Sequence, residues 1–169
     1  MLRTSLDKAY IKRTVRPNYG WTQSTPKSCF LDPAWDRSVK IWPGMVATRT
    51  TGENYSLIGG SQQPAGLFAL YVGGDDIDEP RDSGINALAV WVLGPDAEFE
   101  VLAPAFDTSL SWVDPGNGTD LLVHASTTGA NRGKLVPAGT SGASTQPVAR
   151  LVKVVSATKI IVAGLRGTV

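Results

Sequence analysis

Hydrophobic and polar positions along the chain alternate with a period of two over short stretches. These stretches are broken by glycine and proline every eight to twelve residues or so. The clearest stretch runs from Gly84 to Pro104, GINALAVWVLGPDAEFEVLAP. Ala87 to Leu93 is continuously apolar, which predicts a strand buried on both faces and lying centrally in a sheet. Across Gly94-Pro95-Asp96, Ala97 to Leu102 alternates, with Phe99 and Val101 on one face and Glu98 and Glu100 on the other. Two runs joined by so short a turn predict a β-hairpin with one wet arm. Val46 to Arg49 and Tyr55 to Ile58, around Thr51-Gly52-Glu53-Asn54, predict a second hairpin. Leu67 to Val72 predicts a short buried strand, and Ser109 to Val113 a weak one. Asp120 to Ala125 predicts another strand, and Lys134 to Val136 a short extended piece within a Gly- and Thr-rich loop. Val148 to Val155 and Lys159 to Leu165 predict a closing pair around Ser156-Ala157-Thr158. This spacing predicts an all-β fold, a small β-sandwich or a tulip-like barrel.

The first forty residues behave differently. Apart from a helical spacing over Ser5 to Thr14, with Leu6 and Tyr10 on one face, they hold no sustained period. Pro17, Gly20, Pro26 and Pro33 then interrupt regular structure. A stretch this long without a period predicts an extended arm over residues 1–40 and a β-domain over 41–169. Bases and aromatics interleave along the arm: Arg13, Arg16, Tyr19, Trp21, Phe30 and Trp35. Large aromatics offset the ordering cost of an arm laid on another surface, so these six are the expected partner-binding residues. The same interleaving suits nucleic acid. Nucleic-acid binding is disfavoured, however, because no RNA-binding signature or basic run is present and Asp32 and Asp36 follow closely.

Composition narrows the class. The 169 residues suit one ordinary domain, or a small one with an arm, and 42% hydrophobic content suffices for a core. The 18 glycines and 11 prolines fit a turn-rich β-protein. Cys29 is the single cysteine, so no intramolecular disulfide and no Cys-based metal site is expected. The N-terminus lacks the apolar core of a signal peptide, and no run approaches the roughly 20 apolar residues of a membrane helix, so a soluble protein is expected.

The net charge of +1 hides a segregation. Met1 to Ser28 holds six bases and one acid, Glu53 to Asp120 twelve acids and one base, and Leu121 to Val169 six bases and no acid. Two arrangements fit: contact between subunits or with a larger assembly, or neutralisation within one fold.

Candidate chemistry is sparse. His124, the only histidine, sits in a predicted strand with no nucleophile-elbow pattern in the chain, and reads as a packing or surface-strand residue. Asp75, Asp76, Asp78, Glu79 and Asp82 offer oxygen ligands for calcium, but their spacing departs from a calcium-binding loop and a solvated loop is expected. Glu98 and Glu100 stand about 7 Å apart along one strand face, without other marks of a sugar cleft. No phosphate-binding glycine motif occurs. The expectation is a protein that is not an enzyme and uses no cofactor and no metal.

Two segments carry a family resemblance. Ile41-Trp42-Pro43-Gly44-Met45-Val46 opens a strand after an irregular arm and resembles the start of the folded body in tailed-phage head decoration proteins. The closing segment from Gln146 to Leu151 and from Lys159 to Gly167 resembles phage capsid-accessory sequences. The resemblance implies a lambda-type or related cement protein, commonly a trimer, bound to the major capsid protein on the outside of the shell. It would be made in the host cytoplasm and located in the virion, where it stabilises the shell. It also implies an N-terminal arm that orders on the capsid and adds a strand to the shell's sheet. The alternatives are another virion subunit (tail, connector or fibre) or a calcium- or glycan-binding or hydrolytic β-domain.

Overall fold

The computed structural model describes residues 14–20, 24–36, 39–72, 87–116 and 121–166. Among these residues eleven strands form two sheets. Strands β2 (Thr25–Leu31), β3 (Val46–Arg49), β4 (Asn54–Leu57), β5 (Gly66–Phe68) and β6 (Ala87–Val92) close into a barrel in the order β2-β4-β3-β5-β6. Strands β1 (Val15–Tyr19), β7 (Glu98–Leu102), β8 (Leu121–Ala125), β9 (Leu135–Pro137), β10 (Ala149–Ser156) and β11 (Lys159–Ala163) form a sheet in the order β1-β7-β11-β10-β8-β9. The fold is all-β, as the periodicity predicts. The expected helix over Ser5 to Thr14 and the acidic loop 75–82 lie outside the described residues, apart from Thr14, which is in no regular element.

The barrel is an insertion. β1 and β7 are antiparallel neighbours, with Val15 opposite Val101 and Tyr19 opposite Glu98, and the whole barrel lies in the chain between them. At the barrel's own ends Thr25 of β2 faces Val92 of β6. The chain therefore passes between the two sheets twice, between β1 and β2 and between β6 and β7, and the ends of these connections touch. The Gly94 N–H donates to Ser24 Oγ at 3.0 Å, and Gly20, at φ +58°, approaches Asp96 so closely that a Cβ there would lie 2.7 Å from its carbonyl oxygen. Only glycine tolerates that dihedral and that approach together.

This arrangement corrects the first hairpin. Both predicted runs are strands, but β6 pairs with β2 and β5 in the barrel while β7 pairs with β1 and β11 in the sheet. Gly94-Pro95-Asp96 is a corner between sheets. A turn is read from its own residues, whereas strand partners are chosen by contacts far along the chain. The two runs remain neighbours through side chains, with the Trp91 and Phe99 rings 5.3 Å apart. Within the second run the alternation holds: Phe99 and Val101 are fully buried, and Glu98 and Glu100 half-buried. The second hairpin is present as β3 and β4, and the closing pair as β10 and β11. No strand forms over 109–113. Trp112 there packs edge-on against Phe106, and its Nε1 donates to the Asp107 carbonyl at 2.7 Å. The strand expected over 67–72 shortens to 66–68, with Val72 bridging Ile41.

The described part of the stretch before residue 40 contains two strands, β1 and β2. Two of the prolines that interrupt its pattern, Pro17 and Pro26, sit on open sides of those strands, and Pro33 lies in the turn after β2. β1 is a sheet edge. On β2, β4 covers only Phe30 and Leu31, so Pro26 has a neighbour on one side alone. Proline is tolerated at such places because no ladder needs its missing N–H.

One continuous core joins the two sheets. It holds Phe68, Leu67, Leu57 and Val90 from the barrel, and Phe99, Val101, Ile160 and Val162 from the sheet. Gly44, at φ +94°, brings the barrel against the sheet: a Cβ there would stand 3.1 Å from Ala105 Cβ and 3.2 Å from Val101 Cγ1. The Val46 N–H donates to the Gly133 carbonyl at 2.7 Å, and Thr14 Oγ1 donates to the Pro43 carbonyl.

Candidate functional site

The six residues expected to bind a partner divide by environment. Arg13 and Trp21 lie outside the described residues. Arg16 and Tyr19 are exposed on β1, and Tyr19, at 70% exposure, is the most open large hydrophobic side chain among the described residues. Phe30 is 48% exposed on the outer face of β2, while its neighbours Cys29 and Leu31 point inward and are buried. An exposed tyrosine and phenylalanine offer apolar area at small conformational cost. Trp35 differs. It is partly buried against the core, and the Arg132 guanidinium lies over its ring at 5.2 Å. Arg132 also donates from Nε to the Ile58 carbonyl at 2.9 Å and from Nη2 to the Leu57 carbonyl at 2.7 Å. This clamp ties the loop after β8 to the end of β4. Arg132 and Trp35 stand far apart in sequence, so no local spacing marks their contact.

The segregated charges meet inside the fold. Lys27 pairs with Glu53 at 3.0 Å, Arg150 and Arg166 with Asp96 at 3.8 and 3.5 Å, and Lys159 with Glu100 at 3.6 Å. Each contact joins a base of a terminal basic segment to an acid of the middle one. The Lys27 ammonium holds the Glu53 carboxyl below its ordinary range, and Glu53 in turn raises the Lys27 pKa. At these contacts the segregation is neutralised within one chain.

The groups with catalytic side chains have structural partners. His124 Nδ1 is 2.7 Å from the Ser144 carbonyl; that oxygen only accepts, so Nδ1 carries the proton and the ring anchors the loop after β9. Glu98 accepts from Asn18 Nδ2 at 3.1 Å, and Glu100 faces Lys159. Asp107 is buried and accepts from the Ser109 N–H and Oγ and from Asn131 Nδ2. Burial pushes the Cys29 thiol up to about 11, so it stays neutral and unreactive at physiological pH. Among the described residues no group of three or more His, Cys, Asp or Glu side chains is placed to hold a metal ion. No helix is long and apolar enough to cross a membrane among them.

One concavity stands out. A cavity of about 370 Å³ opens beside β8, lined by Trp112, Val113, Leu121, Leu122 and Leu151 together with Pro137. It is almost wholly apolar and has no convergent polar groups, so it offers shape and burial but no chemistry.

The sheet's edges are closed to strand addition. The Leu102 N–H donates to the Thr14 carbonyl, so in this antiparallel ladder Thr14 and Arg16 bond to β7 while Val15 and Pro17 face outward. At the other edge the outward backbone of Leu135 is taken by the 105–107 segment: its N–H donates to the Ala105 carbonyl at 3.1 Å and its carbonyl accepts from the Asp107 N–H at 3.0 Å. Pro17 and Pro137 each lack an outward N–H, a known way to blunt edge-to-edge pairing. The barrel closes as a ring of strands, and its one-sided stretch of β2 before Phe30 carries Pro26.

The model of the phage cement protein family matches residues 1–169. No curated protein and no solved structure matches the chain. The match spans the full length, and the chain belongs to the phage cement protein family, whose members are structural components of the phage capsid.

Proposed function

We propose that this phage cement protein decorates the outside of the major capsid shell and stabilises it by repeated, individually weak contacts, without catalysis. The observation that carries the reading is the family match over the whole chain. Structural partners for His124, Glu98, Glu100 and Asp107 agree with it. A symmetric shell presents the same contact many times, so modest single contacts sum to tight retention. The protein is made in the host cytoplasm, joins the virion after the shell forms, and occupies three-fold positions as a homotrimer. Arg13, Arg16, Tyr19, Trp21 and Phe30 make the contacts, with Trp35 supporting β2 from below. The N-terminal arm reaches the neighbouring shell protein.

The test is co-sedimentation with shells assembled from the major capsid protein alone. Deletion must stop at residue 13, because removing residues 1–38 also removes β1 and a barrel strand. The full chain is expected to sediment with shells at fixed stoichiometry and to raise their melting temperature. The chain from Thr14 onward is expected to stay folded and bind at least about tenfold more weakly. Equal binding by the shortened chain would remove the arm from the mechanism.

A further inference from the structure

The outer face of the six-stranded sheet is turned away from the core; it is open around Arg16, Lys153 and Leu122 and covered at Ala163. Register places Arg16, Glu100, Ile161 and Lys153 side by side across β1, β7, β11 and β10. A second row holds Glu98, Ala163, Arg150 and Leu122 across β7, β11, β10 and β8. Lys159 lies beside Glu100. The two rows and Lys159 hold four bases against two acids. Glu98 and Glu100 are already engaged by Asn18 and Lys159, and Arg150 by Asp96. Arg16 and Lys153 are exposed, and neither has an acidic partner among the described residues. Leu122 and, near Lys153, Val155 add exposed apolar area at 42% and 45%.

We infer that this face docks on an acidic protein surface of the capsid shell, with Arg16 and Lys153 as its charge contacts; the inference rests on the shell-binding reading above. Three observations select that partner. The excess charge is positive and unengaged, so the complementary surface is acidic. Pro17 at one edge, and the 105–107 segment with Pro137 at the other, oppose strand addition and favour the face as the sheet's contact. Six strands of about five residues cover roughly 500 Å², below the ~800 Å² per partner of a stable isolated complex. A second free copy is therefore too weak an occupant, whereas a surface repeated around a shell is sufficient.

The experiment compares the full chain with two variants, Arg16→Glu/Lys153→Glu on the sheet face and Ser61→Glu in the exposed loop after β4. All three are checked for folding by thermal denaturation. Binding to shells assembled from the major capsid protein alone is measured by co-sedimentation at low and high salt. The expected result is salt-sensitive binding by the full chain, a loss of at least about tenfold in the double variant, and no change in Ser61→Glu. A folded double variant that binds like the full chain overturns the face assignment while leaving shell binding standing. A loss as large in Ser61→Glu overturns it too, because an added negative charge anywhere would then suffice. A full chain that fails to bind shells at either salt overturns the shell-binding reading itself.

Discussion

The barrel and the sheet share one core but keep neighbours away by different means. The barrel joins β2 to β6 into a ring, leaving only the start of β2 with a neighbour on one side. The sheet stays open, with Pro17 at one edge and the 105–107 segment and Pro137 at the other. Closure costs the barrel its variety: one parallel pair, β2 with β4, is needed to complete it. The open sheet keeps a free face, and on that face the bases of the C-terminal segment meet acids from the middle of the chain. The comparison teaches that an open sheet leaves a face free only where its edges are disarmed.

The comparison can be broken most strongly at Phe99, which is fully buried in the sheet and packs against Trp91 of the barrel. Phe99→Ala should destabilise the protein by about 3–5 kcal/mol, with barrel and sheet amides losing exchange protection together. Protection lost in the sheet alone would show that the two regions are energetically separate. Arg132→Ala removes two charged hydrogen bonds to the end of β4 and the cover of Trp35. It should cost about 2 kcal/mol, read as a lower denaturation midpoint with faster exchange around residues 57–59.

Cys29 sharpens the comparison from inside the barrel. Its folded pKa is raised from 9.0 to about 11, so its contribution is complete below pH 9 and fades as pH rises through about 11. Relative to Cys29→Val, which cannot titrate, the natural chain should lose about 1 kcal/mol between pH 8 and 10, measured by urea denaturation. The smallest stability effect is expected at the sheet edge. Pro17→Thr restores an outward N–H and should change stability by less than about 0.5 kcal/mol. The same change should raise self-association, seen as a larger sedimentation coefficient at high concentration.

Much of the fold was legible because strand periodicity is local. The alternation of Phe99 and Val101 against Glu98 and Glu100 appears in the structure as written in the sequence. The pairing of β3 with β4 and of β10 with β11 was legible because each connection is short. Partners across a longer range were not. The run from Ala87 reads the same whether its neighbour is β7 or β2, and only the closed barrel decides. Pro17 and Pro26 read as breaks because a sequence does not say which side of a strand is vacant. Of the arm's aromatics, Tyr19 and Phe30 are exposed, while Trp35 is half covered by a residue nearly a hundred positions away, a contact no local spacing announces. Lys153 carried no signal, since only the register puts it in a row with Arg16.

The insertion of the barrel between β1 and β7 has a consequence for how the chain reaches this structure. Pairing Tyr19 with Glu98 directly means closing a loop over everything from residue 20 to residue 97. Once the barrel forms, Thr25 and Val92 are already side by side, and only the two short crossings remain to be closed. That shortening reduces the loop-closure entropy opposing the sheet by about 2 kcal/mol. Chain entropy therefore favours closing the barrel before the sheet's seam. On that order the inserted ring is in place before Tyr19 and Glu98 meet.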